Sequence, residues 1–354
     1  MTATTTFVAA RAAVRAVDEA AAAGARERHL RLTKPPGSLG RLEDLGVQLA
    51  AISGQVPPPV PEPVTVAVFA ADHGVISEAV SAWPQEVTAQ MVANFGAGGA
   101  AINVIARQIG AQVVVIDVGV AGDLLPGTVG VLDRRVRRGT RNLAVESAMT
   151  DAEMTAALDT GASVTHDAIS DGARLLVTGD MGIGNTTAST AIVAALTGTV
   201  PVVGPGAGAD AATMERKSQV IRRALARLPD EPAPLRVLAE VGGLEIAALV
   251  GFITAGAAAG TPVVVDGLIA TAAALVATRA TPLVGDYLIA AHRSSEPAAG
   301  PALDALGLSP LIDLGMRLGE GSGAALAVPL VQAAARILGE MATFDSAGIT
   351  TKPA

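Results

Sequence analysis

The 354-residue sequence contains no cysteine and very few aromatic side chains. The absence of cysteine excludes disulfides, thiolate nucleophiles and cysteine-bound metals. Because aromatic residues make up only 2% of the chain, the core must be built mainly from Val, Leu, Ile and Ala. The net charge of -8 and the scattered basic residues argue against a nucleic-acid surface. The one basic run, Arg134 to Arg141, is better explained as a solvated loop or local salt-bridge site than as a surface that steers an anionic ligand.

Long uninterrupted apolar segments are rare as well. Charged residues at Arg11, Arg15 and Asp18 interrupt the N-terminal alanines before a signal-peptide core could form, so we expect a cytoplasmic protein. The segment from Ile246 to Val265 carries no charge and is long enough to span a membrane. It is rich in Ala, Gly and Thr, and Pro262 divides it, so we expect a buried helix followed by a buried strand and no membrane association.

Four short apolar runs rich in valine are typical of buried parallel strands. Each ends in an aspartate that glycine follows closely, and helical patterns over 87–109, 187–196 and 235–259 separate them as in βαβ crossovers. The sequence therefore predicts an α/β fold with a Rossmann-like parallel sheet flanked by helices. The four aspartates would share the carboxyl edge of the sheet, where open α/β sheets bind ligands. The runs are VTVAVFAAD, QVVVIDVG, ARLLVTGD and TPVVVDG, with their aspartates at Asp72, Asp117, Asp180 and Asp266.

The two ends of the chain carry helical patterns without strands, from Ala9 to Leu32 and from Val328 to Met341. These helices could pair as a small helical domain. We therefore predict an N-terminal part of the small domain over residues 1–60, a large catalytic domain over 61–325, and a C-terminal helix returning to the small domain over 326–354.

A glycine loop, GDMGIGNTT, joins the third run to an alanine-rich helix. A strand that opens through glycines into a helix N-terminus is a common anion site, because backbone N–H groups and the helix dipole point at one place. The loop has neither the lysine of a nucleotide P-loop nor the GxGxxG pattern, so its backbone would bind a phosphate. A second loop, GPGAGAD, follows over 204–210, and Lys217 beyond it is either a further charge for the site or an exposed helix lysine. Both loops are also compatible with ordinary turns.

A third glycine loop, GMRLGEGSGA, holds Glu320 between two glycines. A carboxylate in this setting is either a solvated turn residue or a general base held on a loop. Ser322 does not fit the GxSxG nucleophile pattern and is better explained as a helix cap. His73, beside Asp72 at the predicted sheet edge, could contact a ligand or support residues that do, whereas His292 is better explained as structural. The four histidines lack metal-binding spacing, so no metal site is predicted.

Several segments taken together resemble one enzyme family. They are LTKPPGSLGRLEDL, AADHGV, PQEVTAQMVANF with GGAAINV after it, GDMGIGNTTAS, VVDG, HRSSEP and GMRLGEGSGAALAVPLVQAA. From near Leu32 to Ile349 the chain resembles the nicotinate-nucleotide:dimethylbenzimidazole phosphoribosyltransferases, for which GDMGIGNTT and MRLGEGSGA are highly specific. The resemblance implies a parallel α/β large domain, a small helical domain from both chain ends, and a homodimer. It also implies transfer of a phosphoribosyl group from nicotinate mononucleotide to 5,6-dimethylbenzimidazole, without a cofactor, to give the α-ribazole phosphate of cobamide lower ligands.

The resemblance also implies roles for individual residues. The family's catalytic base falls on Glu320, and its second acidic position, often glutamate, falls on Asp180, whose side chain is one methylene shorter. Some relatives have a small polar residue where this chain has Trp83, which leaves the choice of base open. The phosphate-binding positions fall on Gly182, Gly184, Asn185, Thr186, Gly206 and Lys217. The benzimidazole pocket falls on Trp83, Gln90, Met91, Met316 and Leu318, and the other candidates at the sheet edge are Asp72, His73 and Asp266.

The chemistry needs few groups, because nicotinate leaves its nucleotide as a neutral ring nitrogen that no acid has to protonate. One base is therefore enough for the benzimidazole proton, and Asp180 could stabilise positive charge on the ribose. Two other classes stay open: another glycosyl or phosphoryl transferase with the same loops, and a non-catalytic protein that binds benzimidazoles or α-ribosides. Release of free nicotinate distinguishes the enzyme from the binding protein.

Overall fold

The computed structural model describes residues 6–124, 127–206 and 208–350. The described residues do not include 1–5 and 351–354, at the ends of the predicted terminal parts, or residue 207 of the second glycine loop. The described part contains six parallel strands in one sheet. They are β1 (Val64–Ala71), β2 (Gln112–Gly119), β3 (Val131–Asp133), β4 (Leu175–Met181), β5 (Val263–Val265) and β6 (Leu288–Ala290). The predicted α/β fold with a parallel sheet is thus confirmed.

The sheet reverses its direction of growth next to β1. The strand order is β3-β2-β1-β4-β5-β6, so the chain moves outward from β1 to β3 and then returns to β4 on the other side of β1. Every residue of β1 is buried, which explains its continuous apolar sequence. At such a reversal the loops that leave two adjacent strands turn to opposite faces of the sheet and open a crevice. The crevice lies beyond the carboxyl ends of β1 and β4.

The helices of the described part cover both faces of the sheet. Several are shorter than their sequence patterns: glycines at 96, 98 and 99 divide the pattern over 87–109, and Gly242 and Gly243 divide that over 235–259. The helices are α1 (Thr6–Ala13), α2 (Glu19–Arg31), α3 (Arg41–Ser53), α4 (Glu86–Gly96), α5 (Ala101–Ile109), α6 (Asp151–Ser170), α7 (Asn185–Thr197), α8 (Ala211–Leu225), α9 (Pro234–Val241), α10 (Leu244–Ala258), α11 (Leu268–Ala280), α12 (Ala299–Leu306), α13 (Ser322–Glu340) and α14 (Phe344–Ala347).

The helices α6 and α10 touch through their backbones. A Cβ atom at Gly161 of α6 would lie 1.8 Å from the carbonyl oxygen of Ala248, and one at Gly251 of α10 would lie 1.9 Å from that of Leu158. Only glycine therefore permits this approach. Because α10 is almost entirely buried and leads to the buried strand β5, the expectation of a core helix and a core strand over 246–265 is confirmed.

Helices from both ends of the chain form the small helical domain. Side chains of α2, α3 and the end of α13 share a separate apolar cluster that includes Ala25, Ala50 and Leu338. The first helix, α1, instead packs on α6 and α10, where the backbone N–H of Phe7 donates to Asp159 Oδ1 at 2.8 Å. The domain boundaries after residues 60 and 325 stay predictions.

One helix in the described part, α13, is long and apolar enough to cross a membrane by length and composition alone. More than half of its apolar window, 56%, is buried inside the protein. Val328 and Val331 belong to the same core cluster as Val66 of β1 and Val177 of β4. These contacts are those of a core helix.

The basic run is a salt-bridge site. Arg135 Nη2 lies 2.7 Å from the buried carboxylate of Asp117, and Arg141 Nη1 lies 2.6 Å from Glu153 Oε2. Asp117 is therefore paired on the β2 side of the sheet.

Candidate active site

A cavity of about 490 Å³ lies in the crevice at the carboxyl edge of the sheet. The loops that follow β4, β5 and β6 surround it, together with α4 and the segment before α13. Its lining combines polar and apolar residues. The lining residues are Trp83, Val87, Met91, Asp180, Met181, Gly182, Ile183, Asn185, Thr186, Gly206, Gly267, Leu268, Ile269, His292, Ser294, Glu296, Arg317, Leu318, Gly319 and Glu320.

Glu320 holds its carboxylate at this cavity from a strained backbone position. Its φ of 65° is in the left-handed region, which costs a non-glycine residue on the order of 1–3 kcal/mol. The side chain is 5% exposed, and Oε2 accepts a hydrogen bond from the N–H of Ile102 in the first turn of α5 at 3.3 Å. Burial raises the pKa of Glu320, the Ile102 hydrogen bond opposes this rise, and the charge of Asp266 adds to it. A carboxylate with a raised pKa is suited to accept a proton.

Asp180 faces Glu320 from the carboxyl end of β4. Its backbone oxygen accepts a hydrogen bond from the N–H of Glu320 at 3.3 Å, and its Oδ2 accepts one from Asn185 Nδ2 at 3.0 Å. Burial raises the pKa of Asp180 well above its usual range, and the charges of Asp266 and Glu245 add to the effect. The structure therefore brings the two predicted catalytic residues together in one cavity.

Asp266 holds the loop of Glu320 in place. Its Oδ1 accepts a hydrogen bond from the N–H of Ala324 at 2.8 Å, and its Oδ2 accepts one from the N–H of Gly321 at 3.3 Å. His292 Nε2 lies 3.4 Å from the same Oδ1. Asp266 thus points at the N-terminus of α13 and does not line the cavity, although the sequence placed it at the sheet edge. Its position makes it a support for Glu320.

The first glycine loop borders a small hollow of about 60 Å³ beside the cavity. Gly184, with a φ of 99°, is the N-cap of α7. The N–H groups of Ile183 and Asn185 already donate, to Thr88 Oγ1 and to the carbonyl of Gly182. Those of Gly184 and Thr186 have no acceptor in the described part of the chain. They are available to an anion at the start of the helix.

Lys217 reaches this hollow from α8. Its Nζ donates to Thr186 Oγ1 at 2.7 Å and to the carbonyl of Gly204 at 3.4 Å, and it forms no ion pair with any carboxylate that the structure describes. Burial lowers the pKa of Lys217 from 10.5 to about 8, and the charge of Glu296 opposes this. A buried ammonium without an anionic partner, beside two available N–H groups, favours a phosphate in the hollow.

Part of the cavity lining is apolar. Trp83, Met91 and Leu318 of the predicted benzimidazole pocket belong to it, and Trp83 and Leu318 are 51% and 57% exposed at the cavity rim. Gln90 is an exposed residue of α4 outside the lining, and Met316 also lies outside it, where its carbonyl accepts a hydrogen bond from Ser295.

His73 and Asp72 lie beneath the first glycine loop and do not line the cavity. His73 Nε2 lies 2.6 Å from Glu245 Oε1 with both side chains fully buried. Asp72 Oδ2 accepts a hydrogen bond from the N–H of Ala121 at 2.8 Å. A Cβ at Gly182 would lie 3.3 Å from Glu245 Oε1, so the pair packs directly against the loop. Of the two roles open to His73, the geometry favours support over ligand contact.

Ser294, Glu296 and Arg317 line the cavity without a role assigned from the sequence, and His292, which was expected to be structural, lines it as well. Glu296 Oε1 accepts a hydrogen bond from the N–H of Gly206 at 2.9 Å, and Arg317 Nη1 donates to the carbonyl of the same residue. The only sequence signal for His292, Ser294 and Glu296 was the HRSSEP segment. No local pattern distinguishes these residues from structural ones.

Two other features of the described residues bear on ligand binding. No group of three or more His, Cys, Asp or Glu residues is placed to hold a metal ion within 6–124, 127–206 and 208–350. A larger groove of about 770 Å³ lies between α2, α3 and residues 282–286, beside the amino end of β6. None of the three glycine loops contributes to this groove.

Comparison with known proteins gives concordant matches. A family model described as phosphoribosyltransferase matches residues 14–349. The chain is 51% identical to the nicotinate-nucleotide–dimethylbenzimidazole phosphoribosyltransferase of Salinispora tropica, over 96% of this chain and 98% of that protein. It is 52% identical to the protein of the same name from Roseiflexus sp., over 95% and 96% respectively. A crystal structure of the Thermus thermophilus protein of this name superposes with a TM-score of 0.90 at 51% identity, covering 95% of this chain and 100% of that one.

Proposed function

Because the chain belongs to the nicotinate-nucleotide–dimethylbenzimidazole phosphoribosyltransferase family, we infer that it transfers the phosphoribosyl group of nicotinate mononucleotide to 5,6-dimethylbenzimidazole. The products are α-ribazole 5′-phosphate and nicotinate. One observation carries the assignment at the level of the site: a cavity with two facing carboxylates, Glu320 and Asp180, opens beside a hollow with an unpaired buried lysine.

The reaction breaks one bond and forms one. The bond between ribose C1′ and the pyridinium nitrogen breaks, and its electron pair stays on the nitrogen of neutral-ring nicotinate. The unprotonated nitrogen of the benzimidazole forms the new bond to C1′, and the other ring nitrogen then loses its proton. The ribose of the substrate carries nicotinate in the β configuration, and that of the product carries the benzimidazole in the α configuration. The benzimidazole therefore attacks C1′ on the face opposite nicotinate. The cavity therefore has to hold two rings on opposite sides of one sugar.

We propose that the 5′-phosphate binds in the hollow. The N–H groups of Gly184 and Thr186 and the ammonium of Lys217 would be its donors. These contacts lie away from the reacting carbon, so they supply binding energy that positions the ribose. The α7 N-terminus adds a favourable dipole.

Glu320 is the proposed general base and Asp180 the proposed charge stabiliser. Burial and nearby like charges raise the pKa of both carboxyl groups in the free protein. The pyridinium of the bound nucleotide lowers the pKa of nearby carboxyl groups, because an opposite charge favours their ionised form. An ionised Asp180 would then face the positive charge that develops on the ribose. The neutral leaving group requires no Lewis acid, so the proposed mechanism uses no metal ion.

The apolar part of the cavity lining is the proposed site of the benzimidazole. Trp83, Met91 and Leu318 offer an aromatic ring and two flexible apolar side chains to a flat, apolar base. Gln90 and Met316 stay predictions of the family resemblance, since neither reaches the cavity in this chain.

A homodimer is proposed as the active assembly. The support is the resemblance together with a cavity rim where Trp83 and Leu318 remain about half exposed. Sedimentation velocity over a range of concentrations checks this, and a fully active monomer would contradict it. A cytoplasmic location also stays a prediction.

The function is tested by incubating the purified protein with nicotinate mononucleotide and 5,6-dimethylbenzimidazole. We expect nicotinate and α-ribazole 5′-phosphate to form in equal amounts, as measured by chromatography. Binding of the base without nicotinate release would indicate a carrier. Turnover of a nucleoside triphosphate in place of the mononucleotide would indicate another transferase.

A further inference from the structure

The cavity that holds the proposed chemistry is acidic, with one exception. Three carboxylates line it, those of Asp180, Glu296 and Glu320, and each side chain is largely buried. Among the lining residues that the structure describes, Arg317 alone carries a positive charge. Lys217 belongs to the neighbouring hollow and not to the cavity itself.

Arg317 is anchored but keeps unused donors. Its Nη1 donates to the carbonyl of Gly206, and the residue before it is fixed because its carbonyl accepts a hydrogen bond from the N–H of Ser295 at 2.9 Å. The guanidinium forms no ion pair with any carboxylate in the described ranges, although three carboxylates line the same cavity. Its other nitrogens therefore remain available at the rim to a ligand.

The proposed substrate carries two separate anionic groups, the phosphate and the carboxylate on the pyridinium ring. The hollow with Lys217 accounts for the phosphate. A second anion in a cavity lined by three carboxylates is repelled unless a cation faces it. Arginine binds carboxylates through two parallel N–H donors, which makes it well suited to this task.

We propose that Arg317 binds the ring carboxylate of nicotinate mononucleotide and so selects this nucleotide over nicotinamide mononucleotide. The two nucleotides differ only in that carboxylate, which is a neutral carboxamide in the second. The inference rests on the proposed function and adds the group that discriminates between the substrates. A hydrogen bond to a charged group contributes enough free energy for about 10- to 100-fold selectivity.

The test compares kcat/KM for the two nucleotides, with dimethylbenzimidazole saturating, in the wild type and in Arg317→Gln and Arg317→Lys. We expect the wild type to prefer nicotinate mononucleotide. In Arg317→Gln, kcat/KM should fall about 10- to 100-fold for this nucleotide and stay nearly unchanged for nicotinamide mononucleotide. Arg317→Lys keeps the charge without the paired donors, so it should retain part of the preference.

Lys217→Met is the matched control, because the phosphate is common to both nucleotides. This variant should weaken both substrates by the same factor and leave their ratio unchanged. An equal loss for both in Arg317→Gln would show that Arg317 serves the phosphate or the loop, and would overturn the proposal. The proposal would also be overturned by an unchanged ratio of the two kcat/KM values in Arg317→Gln, or by a wild type that does not prefer nicotinate mononucleotide. Failure of the wild type to release any nicotinate would instead refute the proposed function, and thermal unfolding of each variant verifies that it is folded.

Discussion

Lys217 offers a prediction in which binding and stability change in opposite directions. The ammonium is buried and its pKa is lowered from 10.5 to about 8, so the free protein binds this proton weakly. A bound phosphate needs the charged form. With a pKa of about 8, the lysine is about 90% protonated at pH 7 and about 10% protonated at pH 9. Nucleotide affinity should therefore fall about tenfold per pH unit above pH 8, and Lys217→Met should bind more weakly at pH 7 and lose this dependence.

The same lowered pKa destabilises the free protein. Since the unfolded chain binds the proton more tightly, stability should rise with pH between about 8 and 10.5. Below pH 8 the penalty corresponds to about 3 kcal/mol, at about 1.4 kcal/mol per pKa unit. The lost hydrogen bond to Thr186 offsets about 1 kcal/mol of this, and the longer one to the carbonyl of Gly204, at 3.4 Å, adds little. Lys217→Met should therefore raise the free energy of unfolding at pH 7 by about 2 kcal/mol.

Calorimetric titration with nicotinate mononucleotide between pH 7 and 9.5 measures the first effect, and denaturant unfolding without nucleotide measures the second. A structural role for Lys217 would lower stability and affinity together. That outcome, or a wild-type affinity that is flat across this pH range, would refute the reasoning.

Three further predictions concern the loops around the cavity. Glu320→Gln should slow the chemical step by about 10²–10⁴-fold and leave nucleotide binding nearly unchanged, which single-turnover and binding measurements would show. Near-wild-type turnover in this variant would place proton removal elsewhere. Asp266→Asn removes a charge that raises the pKa of Glu320. Since activity is lost as pH falls through that pKa, the acidic limb of the pH profile of kcat should move to lower pH. An acidic limb that does not move would contradict the assignment of Glu320 as the base. Gly184→Val should raise KM for the nucleotide far more than KM for the benzimidazole. Residue 184 has a left-handed backbone, and a Cβ there would lie 2.9 Å from Ile76. Equal changes in both KM values would exclude a local effect on the phosphate.

The sequence was most informative where one physical constraint dominates. Strands buried on both faces must be continuously apolar, so the runs that became β1, β2, β4 and β5 were recognisable without any structure. Glycine loops between strands and helices were recognisable for a similar reason, because few residues other than glycine suit a backbone that binds an anion. The three-residue strands β3 and β6 were too short to show a pattern.

The sequence was least informative about which way a side chain points. Asp180 lies at the carboxyl end of β4 and Asp266 directly follows β5, yet Asp180 lines the cavity and Asp266 turns toward the N-terminus of α13. Arg317 and Glu296 lie on separate segments and meet only through Gly206, which lies on a third. Such meetings depend on tertiary packing, which local residue patterns do not record. The family resemblance supplied the role of Glu320, whose pKa is raised by burial and by the charge of Asp266, a residue far from it in sequence.

The backbone contact between α6 and α10 has a consequence for how the gene can vary. Glycine codons have the form GGN, and every amino acid reached from them by a single base change carries a Cβ atom. At Gly161 or Gly251 that atom would lie within 1.9 Å of a carbonyl oxygen on the facing helix, so the helices would have to separate. Neither glycine lines the cavity. A missense survey that scores residues only by their distance from the substrate would class these two positions as tolerant. Yet synonymous changes are the only single-base changes there that leave the packing intact.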